Sequence, residues 1–264
     1  MTNMTFKRLG FLVAVVFATQ ASAQDGSVLA QGRADGEEVN NGTNPTLLTT
    51  QAIVQYQYNE LRFGGDAGLI ELQYVQPFGD GNKAFRFTAP FADSSLDSSY
   101  GLGDISITYI DVFHLTKKNG SAFTAELFLD TASRGDIGYG QFAMETQLFY
   151  AFFLNNGAIF APAWVQTFGL GGGNDNGGKL NVSTFDFYFV PKLPDPKYYM
   201  TFDPAVVHDW ENDKTFGSLQ VTFGMLTGKA FGGDSQVFIK PGIQIGKDRP
   251  VDWSVQVGYK VLNF

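Results

Sequence analysis

Apolar and polar residues alternate along most of this chain with a period of two. In the last stretch Trp253, Val255, Val257, Tyr259 and Val261 fall on one face, and Asp252, Ser254, Gln256, Gly258 and Lys260 fall on the other. That period is the mark of a strand with one apolar and one polar side. Twelve such segments follow Leu47, at roughly 49–59, 67–78, 83–92, 101–115, 121–132, 140–154, 157–169, 180–192, 198–210, 215–227, 234–245 and 251–264. Most reach the roughly 9–11 residues of a tilted membrane strand, beyond the roughly 5–6 of a soluble sandwich strand. The pattern predicts an all-β fold: a transmembrane antiparallel up-and-down β-barrel of about 12 strands, over 47–264.

The connectors support this. Gly79-Asp80-Gly81-Asn82, Lys117-Lys118-Asn119-Gly120, Asn155-Asn156-Gly157 and Pro194-Asp195-Pro196-Lys197 read as tight turns. Between them lie longer connectors, at 93–100, 132–139 and 171–178. Short periplasmic turns and long outer loops have this asymmetry. Gly228 to Gly233 is a longer inner turn than the rest, and 211–214 and 247–250 are short outer ones. Pro77, Pro90, Pro162, Pro191, Pro204 and Pro241 lie inside strand segments, where a residue without an N–H forces a bulge, a strand end or a register break. At the C-terminus Leu262 and Phe264 are out of phase with the series ending at Val261, so a bulge or a frayed end is expected there.

The N-terminal part reads differently. Lys7 and Arg8, the apolar run Phe11 to Ala18, and Ala21-Ser22-Ala23 match an export signal over 1–23, with cleavage before Gln24. Residues 24–46 are polar and aperiodic, and read as a flexible lead-in or a small lumen plug. Removing the signal's two cations leaves 16 Lys and Arg against 26 Asp and Glu, a balance that argues against nucleic acid as partner. Cysteine is absent, so no disulfide staples the fold. Twenty-six Phe and 15% aromatics suit a lipid-facing wall with aromatic girdles.

If the apolar faces meet lipid, the polar faces line the lumen. Alternation places Glu71, Gln73, Arg86, Asp104, Glu126, Asp130, Glu145, Gln147, Asp186, Asp203, Gln236, Lys240 and Gln244 inward. Acids outnumber bases in that set. The expected role is passage or binding of a small solute; the alternative is a self-satisfied network filling a structural barrel, since buried charge must be paired either way. A soluble periplasmic ligand-binding β-protein is the other class. Phe149, Trp164 and Tyr188 are candidate lumen aromatics for stacking. Enzymatic activity is not expected. The His-x-Ser pair of barrel hydrolases is missing, because His114 precedes Leu115-Thr116 and His208 precedes Asp209-Trp210. No cofactor, nucleotide or metal motif is present: Gly101-Leu102-Gly103-Asp104 lacks a third glycine and enters a strand.

That Gly101-Leu102-Gly103-Asp104 opening, followed by Ile105-Ser106-Ile107-Thr108-Tyr109, resembles the strand opening of an outer-membrane channel family named for the meta-cleavage pathway of phenol degradation. Phe238 to Ile243 and Asp248 to Tyr259 resemble the last strands of that family. The resemblance implies a barrel in the outer membrane of a Gram-negative cell, taking up aromatic or other small hydrophobic solutes. It brings no binding residues with it. A second resemblance, in strand number and length, is to nucleoside-specific outer-membrane channels. Likeness to outer-membrane barrels as a class further implies that Phe264 is read by the barrel assembly machinery. The partners expected are outer-membrane lipid, that machinery and a small solute.

Overall fold

The structure is a computed structural model and describes residues 42–172 and 179–264. The expected signal over 1–23, most of the 24–46 segment, and the core of the 171–178 connector lie outside the described residues. Thirteen strands form: β1 (Gln51–Leu61), β2 (Asp66–Phe78), β3 (Lys83–Ser94), β4 (Asp97–Leu102), β5 (Ser106–Leu115), β6 (Asn119–Phe128), β7 (Phe142–Phe153), β8 (Ile159–Gly171), β9 (Asn181–Val190), β10 (Tyr198–Asp209), β11 (Lys214–Ala230), β12 (Gly233–Ile245) and β13 (Val251–Leu262). Each pairs antiparallel with its neighbours, and β1 closes on β13 along its whole length. The short β4 and β5 are two halves of one barrel strand. Both pair with β3, and the break between them falls at Gly103-Asp104-Ile105. The result is a closed 12-strand antiparallel barrel, in which the strands pair around the ring and only the short β4, paired with β3 alone, leaves an edge.

Three prolines mark the sites where the ladder lapses. Pro162 sits in a gap of the β7–β8 pairing, Pro204 in a gap of β9–β10, and Pro241 in a gap of β11–β12. Each lacks the N–H that would fill the gap. Pro191 is not in a strand, because β9 ends at Val190. The inner turn expected at 228–233 is shorter than read: β11 runs on to Ala230, and Phe231 (φ 51°) with Gly232 (φ 87°) makes a two-residue hairpin of the left-handed type. At the C-terminus Val261 and Leu262 are both buried. Asn263 then takes a left-handed φ of 57°, which turns Phe264 back to the exterior.

The wall is built for lipid. Leu148, Trp164, Phe185, Ile239, Ile243 and Val257 are about half exposed, while their chain neighbours are buried or half-buried. No soluble barrel turns that row of aliphatic and aromatic groups outward, so the soluble periplasmic reading is replaced by that of a membrane-spanning, outer-membrane barrel. Aromatics pair near the inner rim, as Phe78 on Phe85 (centroids 5.1 Å) and Tyr150 with Phe152 (4.7 Å). This is where ring faces meet the headgroup level.

Candidate functional site in the barrel lumen

The interior is layered along the barrel axis. Toward the periplasmic end, Val75, Ala84, Ile110, Val112, Ala122 and Phe149 form an apolar collar around Leu48. Leu48 belongs to the stretch before β1, which runs inside the barrel: Thr43 and Thr46 are buried, and the Tyr188 hydroxyl donates to the Thr43 carbonyl at 3.2 Å. Asn44 shapes this stretch by accepting the Thr46 N–H (3.0 Å) and hydroxyl (2.8 Å) through its side-chain oxygen. Residues 42–46, the described end of the segment read as a flexible lead-in, are thus mostly buried among lumen-facing groups. Toward the outer end, Phe128, Ala143, Leu180, Val182, Val207 and Phe216 pack with Tyr139, and Leu69 and Ala92 pack with Ile137. Ile137 and Tyr139 belong to the connector between β6 and β7, so that connector folds inward across the mouth.

The mid-barrel between these layers is polar. Its first wall runs over β1 to β8. The Arg86 guanidinium donates to Glu126 Oε2 at 2.6 Å and to Thr108 Oγ1 at 3.2 Å, and the Ser106 hydroxyl donates to the other Glu126 oxygen. Glu145 lies directly across from Glu126 and accepts the Thr167 hydroxyl at 2.9 Å. Glu71 accepts from Gln55 at 3.3 Å and from Gln73. The strand register creates this girdle: Gln55 faces Glu71, Arg86 faces Thr108, Thr108 faces Glu126, and Glu145 faces Thr167. The second wall carries Asp186 on β9, Asp203 on β10 and Lys240 on β12, with Lys240 Nζ 3.6 Å from Asp203 Oδ2. Such charges are tolerable in a barrel interior only because each has a polar neighbour or an opposite charge.

Of the residues assigned inward from the alternation, Glu71, Arg86, Glu126, Glu145, Asp186, Asp203, Gln147, Gln236, Lys240 and Gln244 are buried, and Gln73 is half-buried. Gln244 accepts the Val251 N–H at 3.0 Å and so serves the wall as well as the lumen. Asp104 is buried but does not join the girdle. Its carboxylate accepts the backbone N–H groups of Thr131 (3.2 Å), Ala132 (3.0 Å) and Tyr139 (2.6 Å), clamping the inward-folded connector. A Cβ on Gly138 would lie 2.7 Å from Asp104 Oδ2, so a bare backbone is needed for this close approach. Asp130 is half-buried and sits in that connector, because β6 stops at Phe128 rather than near 132. Trp164 is 50% exposed and faces lipid, which removes it from the candidate stacking groups.

Thr167 is missed as a lumen group, Lys260 is placed on a polar face but not among the lumen candidates, and of the stretch 42–48 the plug alternative covers only residues up to 46. Lys260 is fully buried, with its Nζ 5.4 Å from the Tyr199 ring centre. It was legible as a polar-face residue of the last strand. The apolar pairs Leu47-Leu48 and Ile137…Tyr139, set in otherwise polar stretches, were the signal for the two inward segments. His208 bonds to Thr215 Oγ1 at 2.7 Å and stacks edge-on with Trp210 at 4.4 Å, a contact at the outer rim.

No protein-family model matches the chain, and no curated protein matches it. Solved structures do. The chain is similar to the COG4313 outer membrane channel from Pseudomonas putida F1 at 14% identity and a TM-score of 0.66, over 87% of this chain and 100% of that one. It is also similar to the NanC porin at 8% identity and a TM-score of 0.57, over 80% of this chain and 98% of that one. The fold of this chain is therefore that of the Gram-negative outer-membrane β-barrels to which these channels and porins belong.

Proposed function

We propose that this protein is a passive outer-membrane channel for a small solute. The carrying observation is the polar mid-barrel, in which five buried carboxylates (Glu71, Glu126, Glu145, Asp186 and Asp203) face Arg86 and Lys240 inside a lipid-facing wall. An excess of acids favours cations and neutral molecules over anions. The apolar collars around Leu48 and Tyr139 support a solute with an aromatic or aliphatic part, which fits the resemblance to channels of phenol degradation. The nucleoside reading is weaker: Trp164 is outside, and the inward Phe149 is packed in the collar with Leu48. A plugged structural barrel is the second reading, favoured by the burial of residues 42–48 in the lumen. The exposed Phe264 supports recognition by the barrel assembly machinery, so its deletion should lower the heat-modifiable, assembled fraction.

Planar-bilayer conductance with reversal potentials, followed by liposome flux of small phenols, tests the channel reading. Glu126→Gln with Glu145→Gln should weaken cation preference, and the wall change Leu127→Val should not. Equal effects of both would mean that the inward and outward faces are misassigned. No conductance and no flux would favour the plugged barrel.

A further inference from the structure

The mid-barrel carboxylates differ in how well they are satisfied. Glu126 receives Arg86 and Ser106, Glu145 receives Thr167, and Glu71 receives Gln55 and Gln73. The second wall is poorer in donors, and Asp186 draws on the backbone N–H of Phe187. Asp186 Oδ1 and Asp203 Oδ2 accept no hydrogen bond, although the two residues are only 5% and 4% exposed. They sit on adjacent strands, where Asp186 faces Ala205 and Asp203 is two residues away on the same face, and their carboxyl groups lie within hydrogen-bonding reach of each other. Their cross-strand partners supply little. Asp186 faces Ala163 on β8, and Asp203 faces Gln220 on β11, whose side chain makes no bond to it. Lys240 Nζ stands 3.6 Å from Asp203 Oδ2, close enough to attract but too far to donate a hydrogen bond.

We propose that Asp186 and Asp203, with Lys240 beside them, form a binding station for the primary ammonium group of a permeating monocation. With both carboxyls ionised against one lysine the site holds a single negative charge, so one positive charge closes the balance. Acceptor oxygens without donors are costly in a poorly hydrated interior, and a group that relieves them must bring N–H bonds as well as charge. A primary ammonium brings both; a quaternary ammonium brings charge alone. The inference uses the channel reading for the route by which the cation arrives, while the chemistry of the station stands apart from it.

The test separates the two. Detergent-solubilised, heat-modifiable protein is titrated calorimetrically with n-butylammonium and with tetramethylammonium. Single-channel current in KCl is then recorded with each cation added. Wild type should bind n-butylammonium and be blocked by it, and tetramethylammonium should do neither at the same concentration. Asp186→Asn and Asp203→Asn should each weaken binding about tenfold, the loss of one charged hydrogen bond, while the lipid-facing Ile239→Val should not. The wild-type contrast between the two cations needs no variant, so it decides the matter even if a variant does not assemble. Equal binding of both cations, or no binding, overturns the station. So does binding unchanged in both Asn variants, which would mean that the facing oxygens share a proton. A barrel that binds n-butylammonium yet conducts nothing would uphold the station and overturn the channel.

Discussion

Arg86 is the keystone of the first polar wall, and its removal should destabilise the barrel more than any lipid-facing change. Its guanidinium makes a charged hydrogen bond to Glu126 at 2.6 Å and a bond to the neutral Thr108 hydroxyl at 3.2 Å. The donor is the charged guanidinium in both, and such a bond contributes about 1.5–3 kcal/mol. Arg86→Met also strands Glu126 as a buried charge, with Glu145 directly across the strand pair. Breaking one partner of such a buried pair costs about 3–5 kcal/mol, and the bond count agrees with that range. The assay is urea unfolding from lipid vesicles, followed by tryptophan emission. Trp164 and Trp253 on the outer wall report on lipid contact. Arg86→Met should lose about 3–5 kcal/mol, and Arg86→Met with Glu126→Gln should recover most of it, because the second change removes the stranded charge. A loss under about 1 kcal/mol, or a double variant no better than the single one, would refute the claim that this pair holds the wall together.

The Asp104 clamp should be readable from outside the cell. Asp104→Ala removes the acceptor of three loop N–H groups, so trypsin should cut after Arg134 about a hundredfold faster than in the intact barrel, for a loss of roughly 3 kcal/mol; an unchanged cleavage rate would mean that the apolar packing of Ile137 and Tyr139 alone holds the connector. The same connector is tied to the β3–β4 hairpin through Asp136. Burial disfavours the charged form of Asp136, but hydrogen bonds from Ser94 and Arg134 outweigh it and hold the carboxyl below its usual range. A depressed folded value means that this contribution is present above the ordinary carboxylate pKa and lost only as pH falls through the lower one. Hydrogen-exchange protection of 94–99, where the Ser94 oxygen also accepts the Leu96 and Asp97 N–H groups, should therefore persist from pH 7 down to about pH 4, and loss of protection there near pH 5 would contradict it.

The alternation carried the barrel itself: strand number, direction, closure and the burial of most of the inward-assigned residues follow from a period of two, and most strand ends fall within a few residues of the polarity breaks. What it could not carry was tertiary. Asp104 obeys the inward pattern but serves a loop, because the strand breaks at Gly103-Asp104-Ile105 and the carboxylate meets backbone from 25 or more residues further on. Asp130 lost its strand because Asp104 and Ile105 capture the chain at 129–132. Trp164 keeps the unbroken alternation of β8, opposite the buried Ala161, Val165 and Thr167; the all-apolar run from Ile159 to Val165 offered no polar residue to tell the two faces apart. The inward course of residues 42–48 has no periodic signature, since an aperiodic strand of chain is placed by what it packs against.

The central claim is that the buried carboxylates line a path that solutes cross. Reversal potential across a planar bilayer under a salt gradient tests it most directly. The account predicts steady conductance with cation preference, reduced when Glu126 and Glu145 are neutralised. Anion preference, or an assembled barrel that carries neither current nor solute, would contradict it.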